Sequence, residues 1–137
     1  MSRVMIVEDD EDVRESLAQV LVDEGHDVEA CRNGTEAIRT LVEQGHKPCI
    51  VLLDLVMPQV TGLDVLRKLR EAGVMGRSPV FVMTGTAGDP PVPPGVPVLR
   101  KPFDLHQLLA VVAEHCGSST QREAGAEATP QSTPGTA

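Results

Sequence analysis

The chain has 137 residues, a formal net charge of −8 and a pI near 4.9, with two phenylalanines and no tyrosine or tryptophan. That length holds one domain of common size and leaves no room for a second. The acidic balance, with its Lys and Arg residues scattered and forming no basic patch, argues against a phosphate backbone or an anionic membrane surface as direct partner, and no apolar run is long enough to span a bilayer.

Apolar runs of strand character alternate with amphipathic stretches, the pattern of a parallel sheet wrapped by helices. Val4 to Val7 forms the first strand and runs into Glu8, Asp9 and Asp10 with no signal-peptide cleavage site, so a cytoplasmic chain is expected. In the helix that follows, Val13, Leu17, Val20 and Leu21 recur at helical offsets, and Gly25 stops it. A short second strand covers Asp27 to Cys31. Asn33, with Glu36 three residues on, makes a capping-box-like start for a helix carrying Ala37, Ile38, Leu41 and Val42 and ending at Gly45.

The apolar run before Asp54, flanked by Pro48 and Pro58, reads as a central strand covered on both faces. Asp54 stands at its end, before a turn that Pro58 and Gly62 favour, where open α/β sheets place their chemistry. Leu63, Leu66 and Leu69 give the next helix its apolar face, Arg67, Lys68, Arg70 and Glu71 face solvent, and Gly73 ends it. Pro79 to Thr84 supplies the fourth strand.

Between Thr84 and Lys101 lie sixteen residues, of which five are proline and three glycine. Each internal proline costs a helix about 3 kcal/mol, so the helix expected between strands four and five is missing or reduced to one turn. Val96 to Arg100 is the fifth strand, and Pro97 within it is tolerated only at an edge or at the strand's start, with an edge its expected place. Asp104 caps a last helix with Leu105, Leu108, Leu109 and Val112, which ends near His115 and Gly117. Residues 118–137 contain no large apolar side chain, which predicts a disordered tail or linker after a domain over 1–117.

Cys31, Cys49 and Cys116 are odd in number and far apart, which fits reduced thiols better than a disulfide framework or a CxxC metal site. Cys31 and Cys49 read as core residues, and Cys116 as exposed and oxidisable. His26, His46, His106 and His115 share no ligand spacing and read as surface or helix-end residues.

On this scaffold Glu8, Asp9 and Asp10 follow strand one, Asp54 ends strand three, Thr84 ends strand four and Lys101 follows strand five, so all fall on one rim of the sheet. Three massed carboxylates repel one another, and a hard divalent cation with oxygen ligands, Mg²⁺ with several retained waters, relieves that repulsion. An ionised Asp54 can then act as nucleophile toward a phosphoryl donor and become an aspartyl phosphate, with Lys101 and the Thr84 hydroxyl bonding the phosphoryl oxygens. Each residue alone has a bland reading: the acids favour the positive end of the first helix, Lys101 is a solvated strand-end charge, and Thr84 is a loop residue. The order and spacing across several strand ends favour the joint reading.

Val7-Glu8-Asp9-Asp10, Asp54-Leu55-Val56-Met57-Pro58 with Gly62, Met83-Thr84-Gly85 and Arg100-Lys101-Pro102-Phe103 together resemble the receiver domain of two-component response regulators, over Ser2 to about Cys116. The resemblance implies a flavodoxin-like, doubly wound five-stranded parallel sheet of order 2-1-3-4-5, here with the helix after strand four missing or reduced. It implies Asp54 as phosphoacceptor, Asp9 as direct metal ligand, Glu8 acting on the metal through water, and the Val56 backbone carbonyl completing the metal shell. Thr84 is then the switch hydroxyl and Lys101 the phosphate-pairing ammonium; Asp10 fits the helix cap better. The family also offers a precedent for a cis bond between Lys101 and Pro102.

Two departures bear on output. Where the family commonly places an aromatic residue three positions before the lysine, this chain has Val98, and the usual signalling face is the segment rich in proline. The expectation is therefore a phosphoryl-accepting receiver, fed by a histidine kinase or phosphotransfer protein and read by an unidentified protein partner through the Pro-rich loop, the first helix or the rest of the sheet. The alternatives are a phosphorylation-independent pseudo-receiver and an enzyme on a similar sheet. Against the enzyme, Asp54-Leu55-Val56 lacks the second aspartate of aspartate-based phosphatases, and no Gly-rich phosphate loop follows strand one. Its chemistry is expected to be confined to its own carboxylate, with no nucleic-acid-binding or catalytic output domain.

Overall fold

Five strands, β1 (Arg3–Val7), β2 (Asp27–Cys31), β3 (Ile50–Asp54), β4 (Val80–Thr84) and β5 (Val98–Arg100), pair into one all-parallel sheet of order β2-β1-β3-β4-β5. A computed structural model describes residues 3–57, 60–85, 92–93, 95–102 and 104–116. The helices between the strands are α1 (Glu11–Asp23), α2 (Gly34–Ile38) continued by a π-helical turn (Arg39–Glu43), and α3 (Gly62–Glu71) with a 3₁₀ turn (Val74–Gly76); α4 (Leu105–Cys116) follows β5. The flavodoxin-like order expected from the sequence is the order found.

Alternate residues of a strand face opposite sides of the sheet, and here both sides are covered. Met5, Val7, Val51, Leu53, Val80 and Val82 pack with Ala37, Leu41, Val65, Leu66 and Leu69 beneath α2 and α3. Val4, Ile6, Ile50, Leu52, Phe81 and Met83 pack with Leu17, Leu21, Leu108 and Val112 beneath α1 and α4. This explains why β3 and β4 read as continuous apolar runs: every residue of both is buried. Each fully buried Leu, Ile or Val contributes roughly 2 kcal/mol, so these two layers dominate the stability.

The helix starts follow their caps. The Asp10 carboxylate accepts from the Val13 N–H at 3.2 Å and opens α1. Asn33 accepts from the Glu36 N–H at 2.8 Å, but the Glu36 carboxylate returns to the Arg32 N–H, one residue before the cap, at 2.9 Å. Thr61 and Asp64 form a full capping box on α3. The Asp104 carboxylate accepts from the His106 N–H at 2.8 Å, supporting α4. Gly62 has a packing reason beyond its turn: a Cβ there would lie within 3.0 Å of the backbone of Asp54 and Leu55, so its smallness lets α3 seat against the end of β3.

Three expectations change. The fifth strand begins at Val98, not Val96, because Pro97 lies just outside it; its carbonyl accepts from the Val82 N–H at 3.0 Å while its nitrogen has no proton to give, as the sheet edge tolerates. On α4, Leu105 is 48% exposed, and the buried positions are Leu108, Val112 and Cys116. The cysteines differ most: Cys49 and Cys116 form a disulfide with Cα atoms 5.3 Å apart, Cys116 is buried, and only Cys31 is a free, buried thiol. The helix after β5 runs back along the sheet and delivers its last residue to the start of β3, a meeting that a separation of 67 residues conceals.

Of the segment expected to lack a helix, residues 86–91 and 94 lie outside the described residues, as do Pro58, Phe103 and the tail over 118–137. Its described part, Val92, Pro93 and Gly95 to Pro97, contains a turn and no helix, with Val92 and Val96 packed against the α2 and α3 layer. His46 lies 3.1 Å from a Glu29 carboxylate oxygen, and His115 sits edge-on to Phe81 with ring centroids 5.0 Å apart. Among the described residues no helix is long and apolar enough to cross a membrane.

Candidate functional site at the carboxyl rim of the sheet

Parallel pairing sends the carboxyl ends of all five strands to one rim, and the residues just past them meet there. Glu8 follows β1 and is almost wholly buried; its N–H continues the ladder to the Cys31 carbonyl at 3.1 Å. One Glu8 oxygen accepts from Lys101 Nζ at 3.1 Å and the other from the Asp10 N–H at 3.3 Å. Asp54, 4% exposed, closes β3; its Oδ1 accepts from the Val56 N–H at 3.2 Å and its Oδ2 lies 3.6 Å from Lys101 Nζ. Carboxylate oxygens of Glu8, Asp9 and Asp54 all lie within 4.8 Å of one another.

The electrostatics follow from burial and like charge. Burial pushes the Glu8 carboxyl above the usual range, the adjacent Asp54 pushes it further, and Lys101 offsets only part of this. Burial alone would lower the Lys101 ammonium, but the hydrogen bond to Glu8 and the charges of Asp54 and Glu8 outweigh it, so its net shift is upward. Two acids share one cation, and a second positive charge is what the pocket lacks. Three close oxygen donors, one of them exposed on Asp9, fit a hard divalent ion that keeps several waters.

Glu8, Asp9, Asp10, Val13, Asp54, Val56, Gly85 and Lys101 line an open cleft at this rim. Of the residues singled out in the sequence, the fold thus brings Glu8, Asp9, Asp54, Val56 and Lys101 together. Thr84 is different: it ends β4, its carbonyl accepts from the Lys101 N–H at 2.7 Å, and it is fully buried, while the next residue, Gly85, lines the cleft. The Lys101-Pro102 bond is cis. Val98 lies in β5 opposite Val82.

Arg14 carries no motif mark, yet its guanidinium donates to the Glu8 carbonyl at 2.9 Å and to the Asp9 carbonyl at 3.4 Å. The one hint in the sequence is an arginine on the inward stripe of α1, three residues before Leu17 and seven before Leu21. Gly62, behind Asp54, is legible as a turn residue but not as the backing of a site.

Comparison with known proteins agrees with this geometry. The family description "Response regulator receiver domain" matches residues 4–113. Response regulator MprA of Mycobacterium sp. (strain KMS) is 36% identical over 113 residues, covering 79% of this chain and 47% of that protein. The chain spans about half the length of the curated relatives it matches. A CheY-like response regulator receiver domain protein from Methanospirillum hungatei JF-1 superposes with a TM-score of 0.73 at 27% identity, covering 85% of this chain and 94% of that one. The receiver domain of sensor histidine kinase PA1611 from Pseudomonas aeruginosa PAO1, whose active-site cleft holds a magnesium ion, has a TM-score of 0.75 at 22% identity, covering 85% of this chain and 98% of that one. With its sheet order, its acidic rim and a family match over nearly all of the described residues, this chain belongs to the response regulator receiver domain family.

Proposed function

We propose that this domain takes a phosphoryl group onto Asp54 from a phosphohistidine of a histidine kinase or phosphotransfer protein. The observation that carries the reading is one lysine ammonium shared by two buried carboxylates, beside an exposed third. An Asp54 carboxylate oxygen attacks phosphorus, the bond to the imidazole nitrogen breaks, and the electron pair leaves with the ring. Lys101 exchanges its carboxylate partners for the oxygens of the arriving group. Thr84 serves as the switch hydroxyl; because it is buried, that role requires the β4 end to move toward the aspartyl phosphate.

Asp9, Asp54 and the Val56 carbonyl, with Glu8 acting through water, would hold a Mg²⁺ ion, which would supply charge neutralisation between the acids and the incoming phosphoryl group. The PA1611 receiver domain, with its magnesium, supports this assignment by analogy of fold. The proposed unit is 1–117, with 118–137 a polar tail and an output through protein contact; the proposed cytoplasmic location requires the Cys49–Cys116 bond to persist in, or be opened by, a reducing compartment. We assign it no reaction beyond phosphorylation and dephosphorylation of its own carboxylate. Val98 at the position where the family commonly has an aromatic favours a second reading, a pseudo-receiver that binds partners without phosphorylation.

Incubation with Mg²⁺ and a small-molecule phosphodonor, followed by intact mass, separates the two. A Mg²⁺-dependent gain of one phosphoryl group that Asp54→Asn abolishes is expected. No gain in folded protein would leave the pseudo-receiver.

A further inference from the structure

Arg14 is hard to explain as a surface residue. It is half-buried in the opening turn of α1, where the helix dipole disfavours a cation, and among the described residues it makes no ion pair although Glu8 to Asp12 are all acidic. Its guanidinium instead donates to two backbone carbonyls, at 2.9 Å and 3.4 Å, and these belong to Glu8 and Asp9. Behind it, Leu17 and Leu21 anchor α1 in the core, so the guanidinium is held from a rigid element. Arg14 does not line the cleft.

We propose that Arg14 is a positioning residue: by gripping the carbonyls of Glu8 and Asp9 it fixes the peptide planes from which both carboxylates project, presetting them for a divalent cation it never touches. This rests on the metal reading given above. The physical basis is that groups orienting metal ligands typically set metal affinity by a factor of about 10 to 100. A guanidinium can bond two carbonyls at once from a fixed fork, whereas an ammonium is a point charge, so charge and geometry are separable by substitution.

The test is calorimetric titration of Mg²⁺ into the wild-type chain, Arg14→Met and Arg14→Lys, with amide exchange of the metal-free proteins at Asp10, whose N–H shares a peptide plane with the Asp9 carbonyl. Arg14→Met should bind Mg²⁺ about ten-fold more weakly, with Arg14→Lys in between, and the Asp10 amide should exchange faster in both. A purely electrostatic role predicts the opposite sign, since removing a cation strengthens Mg²⁺ binding. Unchanged or tighter binding by Arg14→Met therefore overturns the proposal. Should the Met variant fail to fold, wild-type affinity and exchange in Arg14→Lys overturn it equally. Wild-type protein that binds no Mg²⁺ defeats the metal reading itself, and the exchange rates then show separately whether Arg14 holds the loop.

Discussion

Lys101 Nζ lies nearer to Glu8, at 3.1 Å, than to Asp54, at 3.6 Å. The ammonium is therefore parked on the neighbouring acid, one step from the proposed phosphoacceptor. Replacing it with methionine leaves two buried carboxylates with no cation. The metal-free Lys101→Met protein should lose about 1–3 kcal/mol of stability, and added Mg²⁺ should recover more of it than in wild type. Urea melts with and without Mg²⁺ read both effects; equal Mg²⁺ stabilisation in the two proteins would contradict the shared-cation account.

Asp54→Asn should act with the opposite sign on the metal-free fold. Removing the like charge that, with burial, pushes Glu8 upward relieves repulsion, so the thermal midpoint should rise by a few degrees while Mg²⁺ stabilisation shrinks and phosphorylation is lost. Differential scanning calorimetry at low salt tests the first part, and intact mass the last.

Gly62→Ala should destabilise by about 1–3 kcal/mol, because the added Cβ meets backbone of Asp54 and Leu55 and not a side chain that could swing away. The same displacement moves the strand end that carries Asp54, so phosphorylation should slow as well. Gly76→Ala, with open space at its Cβ, is the control expected to change neither.

The disulfide between Cys49 and Cys116 closes a loop of 67 residues, for which chain entropy gives about 4 kcal/mol. Reduction, or Cys49→Ser, should lower the thermal midpoint by roughly 10 °C or more and loosen the end of α4 first. A melt unaffected by reductant, in protein whose thiols are titrated, would show that the pair contributes nothing to stability.

Burial pushes the Cys31 thiol up to about 12, with Glu29 and Glu36 adding to the shift. The unfolded thiol ionises near its ordinary value of 9.0 while the folded one keeps its proton, so the contribution is whole below that value and lost as pH rises toward 12. The stability difference between wild type and Cys31→Ala should fall by up to about 1.4 kcal/mol per pH unit across that window, and folded protein should resist alkylation at neutral pH.

Short-range physics was enough for much of this molecule. Apolar runs and their periodicity located the strands and helices, Asp10 and Asn33 marked helix starts, and the order of acid cluster, Asp54, Thr84 and Lys101 along alternating elements placed all four at one rim, because parallel strands necessarily end on the same side. What only the tertiary structure decided is how side chains are finally placed: that Lys101 bonds Glu8 more closely than Asp54, that Thr84 is buried, that Gly62 backs Asp54, that Arg14 holds two carbonyls, and that Cys116 meets Cys49. Propensity and spacing act over a few residues, whereas these contacts depend on how two packed layers seat helices on the sheet, and a shift of one ångström in that seating would change each partner without altering a single local signal.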